Sequence, residues 1–110
     1  MDFFRDLYWD PALKNHEDVL KKLQNQEKNG DLYVITLCGD PQYGQLQFFH
    51  HFFLRQKRIR EHCPLIIGLA KGREGAISLV QTIVEDAYRK TGKGNIVAYL
   101  SLLDDRIILS

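Results

Sequence analysis

Apolar side chains recur along this chain in blocks, and the spacing within each block predicts an element. Leu13, Val19, Leu20 and Leu23 return at helical spacing. They stand between Asp10-Pro11, a cap followed by proline at the first helical position, and an Asn29-Gly30 stop. This predicts a first helix over Pro11 to Gln26. Leu32 to Cys38 is nearly continuously apolar and rich in β-branched and aromatic residues, as a strand covered on both faces should be. Gly39-Asp40-Pro41 repeats the cap-then-proline signal and predicts a long second helix to about Glu61. A second buried strand, Leu65 to Ala70, follows. Lys71-Gly72-Arg73-Glu74-Gly75 then turns the chain into a third helix, to about Lys90, which the stop Thr91-Gly92-Lys93-Gly94 ends. Ile96 to about Leu102 is expected as a third strand.

Two successive strand-helix-strand units with buried-type strands imply parallel pairing through right-handed crossovers. The expected fold class is α/β: a small domain of two or three layers with a parallel βαβαβ sheet preceded by an N-terminal helix. Residues Asp104 to Leu109 are a possible antiparallel C-terminal edge strand. At 110 residues the chain forms one domain, 1–110, with room for a single core. The βαβαβ order is Rossmann-like, matching half of a doubly wound nucleotide-binding sheet. That is an analogy of fold, and function must be argued from sites.

The third helix is expected to be amphipathic, with Ala76, Leu79, Val80, Ile83, Val84, Ala87 and Tyr88 on one side. The predicted second helix is different. Leu46, Phe49 and Phe53 make one stripe and Phe48, Phe52 and Ile59 another, with Leu54 outside both. One sheet cannot cover so wide an apolar arc, and contiguous exposed apolar patches are uncommon on soluble monomers. A homodimer is therefore expected, with Phe48, Phe49, Phe52 and Phe53 at its interface.

Fifteen basic side chains against fourteen acidic ones give a formal charge of +1. No global field exists to hold a polyanion. Arg55, Lys57, Arg58 and Arg60 radiate around the end of the predicted second helix, where cations oppose the backbone dipole, so a nucleic-acid partner is not expected. Apolar runs fall far short of the ~20 residues that a membrane-spanning helix needs, which excludes a membrane protein. The acidic start Met1-Asp2 does not fit a secretory signal, so the cytoplasm is the expected location. The parallel arrangement puts Cys38 and Cys63 at opposite ends of the sheet, roughly 20 Å apart at ~3.3 Å per residue, beyond the reach of a disulfide.

In open parallel sheets, ligands bind beyond the carboxyl ends of the strands. Two turns of this sequence are expected there. Gly39 and Asp40 follow the first strand, while Lys71, Gly72, Arg73 and Gly75 follow the second, with glycines that admit a small anion and cations that attract it. The spacing Gly68-x3-Gly72-x2-Gly75 does not match the dinucleotide fingerprint, and Gly92-Lys93 follows a helix instead of opening one, as a phosphate loop would. His62-Cys63 lacks the arginine of a Cys-x5-Arg phosphate loop, since Leu69 holds that position. Cys38 has no sequence-adjacent base. His50 and His51 would point about 100° apart on a helix and cannot share a metal from one face. No catalytic set, cofactor or metal site is expected.

The sequence thus points to a non-catalytic α/β module that self-associates. The alternative is a protein or enzyme that binds a phosphate or nucleotide ligand at the Gly39 and Gly72 turns.

Overall fold

The computed structural model describes residues 1–38 and 45–107. Its elements run β1 (Phe3–Trp9), α1 (His16–Gln24), β2 (Leu32–Leu37), β3 (Leu46–His50), a 3-10 helix (His51–Arg55), α2 (Lys57–Glu61), β4 (Ile66–Lys71), α3 (Gly72–Thr91) and α4 (Ile96–Ser101). The four strands form one mixed sheet in the order β1-β4-β2-β3. β1 is parallel to β4, while β2 is antiparallel to both β4 and β3.

The α/β class therefore holds, but the parallel βαβαβ sheet does not. The reason lies between β2 and β4. The segment expected as one helix to Glu61 opens its described part as a strand, because Leu46, Phe48 and His50 alternate with Gln47 and Phe49 to serve the two faces of a sheet. β3 returns antiparallel along β2, and the remaining residues cross over to start β4. A strand has two sides to bury, so the wide apolar arc that no single helix could hide is divided between them. Phe48 packs into one core and Phe49 into the other.

The chain opens on a strand rather than a helix. Asp10-Pro11 is a turn: the Leu13 N–H donates to the Asp10 carbonyl, and the Ala12 N–H to the Asp10 carboxylate. The helical pattern within Pro11–Gln26 is realised only from His16. Asn15 caps that helix by accepting from the Asp18 N–H. The expected third strand is also a helix, α4. Asn95 Oδ1 accepts from the Ala98 N–H, and Ile96, Tyr99 and Leu100 are buried at the spacing of one helical face. Of the expected C-terminal edge strand, residues 104–107 instead make a turn that buries Asp104 and Ile107, while residues 108–110 lie outside the described residues.

The sheet is covered on both faces, giving three layers. α3 and α4 pack on one side, where Ala76, Leu79, Ile83 and Ala87 of α3 meet Ile35, Ile67 and Ala70. Val19 and Leu23 of α1, with Leu54 of the 3-10 helix, cover Leu32, Val34, Ile66 and Leu69 on the other. Each fully buried aliphatic side chain here contributes on the order of 1.5–3 kcal/mol.

Candidate functional site

β3 is an edge of the sheet. Among the described residues it pairs with β2 alone. The Cys38 N–H donates to the Gln45 carbonyl at 2.9 Å, which makes Cys38 and Gln45 a hydrogen-bonded pair of the antiparallel ladder. Alternation from there turns the backbone groups of Gln47 and Phe49 inward to β2. Those of Leu46, Phe48 and His50 face outward.

Beside this edge, on the α1 and α2 side of the sheet, lies a groove of about 390 Å³. Phe49, Phe53, Ile59 and Pro64 wall it. Gln47, His62 and Cys63 bring its polar atoms. The crossover builds this hollow: the 3-10 helix leaves β3, α2 turns back over the sheet, and Cys63-Pro64 leads into β4. Gln47 is held in place by donating from Nε2 to Oγ1 of the buried Thr36 at 3.0 Å. The Arg58 carbonyl can only accept, so the His62 Nδ1 at 2.9 Å from it carries the proton and Nε2 is left available. Burial pushes the Cys63 thiol above its ordinary value, and its Sγ donates to the Pro64 carbonyl. A thiol kept protonated in this way is not an activated nucleophile.

A second hollow of about 320 Å³ adjoins the groove and shares Ile59 and His62 with it, adding Arg58. The cations of this segment are unequally committed. Arg60 Nη1 donates to the Leu54 carbonyl at 3.0 Å, Lys57 pairs with Glu61 at 3.8 Å, and the Arg55 guanidinium lies 4.9 Å over the Phe52 ring. The exposed Arg58 guanidinium pairs with no carboxylate among the described residues.

The four phenylalanines expected at an interface are placed differently from one another. Phe48 and Phe49 sit on opposite faces of β3, whereas Phe52 and Phe53 are 44% and 50% exposed on the 3-10 helix. No continuous helical stripe joins them.

The register places the glycine turn after β4 at one end of the sheet. Lys71 lies opposite Leu32 at the start of β2, while Ile66, at the start of β4, lies opposite Thr36 near the end of β2. The turn after β4 therefore stands at the other end of the sheet from Leu37, and Gly39 and Asp40 lie outside the described residues. Gly72, Arg73 and Gly75 form the first turn of α3, but an anion already sits there. Asp10 Oδ2 accepts the Lys71 N–H at 2.9 Å, and a Cβ at Gly75 would collide with that carboxylate. The glycine signal has an internal cause. The antiparallel register also puts Cys38 and Cys63 at the same end of the sheet, which overturns the expected separation of the two thiols.

Among the described residues no group of three or more His, Cys, Asp or Glu side chains is arranged to hold a metal ion, and no helix is long and apolar enough to cross a membrane. His50 and His51 are committed to structure. His50 Nε2 pairs with Asp31 Oδ1 at 3.3 Å, and buried His51 bridges the Leu32 carbonyl and the Asn29 N–H. Comparison with protein-family models, with curated proteins and with solved structures finds no match to this chain.

Proposed function

We propose that this protein is a non-catalytic interaction module that self-associates by pairing β3 with β3 of a second copy. The observation that carries the reading is the unguarded edge. Edge strands are normally protected by charge, proline or a bulge. Here β3 presents outward ladder groups at Leu46, Phe48 and His50, and no lysine, arginine, aspartate or glutamate occurs from Pro41 to Leu54. A two-fold arrangement places a strand against itself, so a strand without formal charge meets no like charge in its copy. With Phe48 opposite Phe48 of the second copy, Gln47 faces Phe49 and Leu46 faces His50. The exposed Phe52 and Phe53 extend the apolar surface beyond the strand. The raised pKa of the half-buried Cys63 thiol supports the non-catalytic part of the reading.

Sedimentation equilibrium combined with amide hydrogen exchange tests it. The expected result is a monomer–dimer equilibrium in which the Phe48 N–H exchanges rapidly in dilute protein and slowly in concentrated protein, while the inward Phe49 N–H is slow in both. A monomer at every concentration, with rapid exchange at Phe48 throughout, overturns the proposal.

A further inference from the structure

We propose that the two adjoining hollows form a binding site for a small amphipathic monocarboxylate, its aryl or branched alkyl part in the groove and its carboxylate at Arg58. The larger hollow has the character of a ligand pocket: a few hundred cubic ångströms, apolar walls from Phe49, Phe53, Ile59 and Pro64, and few polar atoms. The smaller hollow supplies the charge, and the shared residues Ile59 and His62 make the two continuous.

Charge complementarity selects the head group. Arg60, Lys57 and Arg55 are each engaged by a carbonyl, a carboxylate or a ring, which among the described residues leaves Arg58 as the cation of this segment with a free guanidinium fork. One planar fork matches one carboxylate in geometry and charge. The imidazole of His62 donates its Nδ1–H to the Arg58 carbonyl and keeps an Nε2 that can only accept, so the carboxylate is held by Arg58 and not by His62. Gln47 gives one of its two Nε2 hydrogens to Thr36, which fixes the amide at the side of the groove. Phe49 reaches the groove from a face of β3 and Phe53, Ile59 and Pro64 from the crossover, so the site uses none of the outward ladder groups of β3, although Phe53 also belongs to the apolar surface beyond the strand.

The test is a titration of the full-length chain with 3-phenylpropionate, 3-phenylpropan-1-ol, acetate and inorganic phosphate, followed by the backbone amide resonances. 3-Phenylpropionate is expected to shift Gln47, Phe49, Ile59 and Cys63 saturably at millimolar concentration. The alcohol should shift the same amides more weakly, and acetate and phosphate should leave them unmoved. Arg58→Gln is expected to weaken 3-phenylpropionate about fivefold, as loss of a partly solvated charge pair does, and to leave the alcohol unchanged. Arg58 is exposed and its guanidinium has no side-chain partner among the described residues, so this variant keeps the fold. No saturable response from either aryl compound overturns the site. Equal weakening of acid and alcohol by Arg58→Gln, or the same shifts from acetate or phosphate, overturns the assignment of the head group.

Discussion

The carboxylate of Asp10 closes the junction between β4 and α3: its Oδ2 accepts the Lys71 N–H at 2.9 Å while its Oδ1 accepts the Ala12 N–H at 2.9 Å. One side chain thus ends β1, forms the turn after it and supplies negative charge at the positive end of a 20-residue helix. The Asp10 N–H also donates to the Leu69 carbonyl, so the two parallel strands are locked together where they finish.

Gly75 should be coupled to Asp10. Gly75→Ala alone is expected to destabilise by about 1–3 kcal/mol, because the new Cβ displaces a carboxylate from its hydrogen bonds. Asp10→Ala alone should cost about 1–2 kcal/mol, as loss of a cap does. In the Asp10→Ala background the same glycine change should be neutral or stabilising by up to ~1 kcal/mol, since alanine is then simply the better helix former. Urea unfolding of the four proteins measures this non-additivity. Additive losses would show that Asp10 is not what requires glycine at position 75.

His51 predicts the response to mild acid. The Leu32 carbonyl 3.1 Å from Nδ1 can only accept, so Nδ1 holds the proton and Nε2 accepts the Asn29 N–H at 3.2 Å. Burial lowers its pKa from the ordinary 6.5, helped by His50 and Arg55, against the Leu32 carbonyl and Asp31, which raise it. The native state therefore binds its proton at lower pH than the unfolded chain. The stabilisation is complete above about pH 6.5 and is lost as pH falls below that value. Thermal melts from about pH 7.5 to about pH 5 should show a decline that His51→Gln reduces, with the variant less stable than the parent at the upper end. An identical decline in both proteins would remove His51 as its source.

The strands and helices that sequence makes legible are those whose pattern admits one solution. β2 and β4 are continuously apolar and short, and α3 is long, one-faced and closed by Gly92 at φ 71°. β1 is hidden by Arg5 and Asp6, charges that an edge strand tolerates on its open positions. In β3 and the 3-10 helix, Phe48, Phe49, Phe52 and Phe53 satisfy a four-residue repeat as well as they satisfy a strand. The change of period at His50 leaves no mark, because no charged residue interrupts the run. Reading that run as a helix made the sheet parallel. From that came the separation expected between Cys38 and Cys63. Phe49 and Phe53 of the groove are visible in sequence as surplus apolar surface, but Ile59, His62 and Pro64 join them only through the crossover. The signal for the edge was the uncharged stretch ending at Leu54, and the Asn95 cap marks α4 as a helix on the other face of the sheet.

Tyr8 links three elements in a second polar network. Its hydroxyl donates to Asp86 Oδ2 at 2.7 Å and lies 2.9 Å from the Tyr99 hydroxyl, tying β1 to α3 and α4. Burial, with these two partners, pushes its pKa far above the ordinary tyrosine range. Tyr8→Phe should cost about 1–3 kcal/mol, since Asp86 and Tyr99 each lose a partner while the ring's packing is kept. Alkaline difference spectroscopy should find that Tyr8 ionises only on unfolding. A normal titration of all five tyrosines in the folded protein would contradict the network.

Asp104 should govern stability in stronger acid. Its carboxylate accepts from Arg106 Nε at 3.1 Å and Nη2 at 2.8 Å, and from the Arg5 N–H at 3.0 Å, while Arg106 Nη2 also donates to the Phe3 carbonyl. The C-terminal turn is fastened to β1 by Asp104 at the Arg5 N–H and by Arg106 at the Phe3 carbonyl. Hydrogen bonding to the Arg106 side chain, followed by the Arg106 and Arg5 backbone N–H groups, outweighs burial and holds the carboxyl well below its ordinary 3.8. The native state therefore stays ionised where the unfolded chain is protonated. The contribution is complete above about pH 5 and disappears as pH falls through the unfolded value towards the native one. Asp104→Asn should lower the urea midpoint at about pH 7, and the gap from the parent should narrow by about pH 3. A gap of the same size at both pH values would mean that the asparagine is penalised for its shape, and that the charge of Asp104 does not secure the turn.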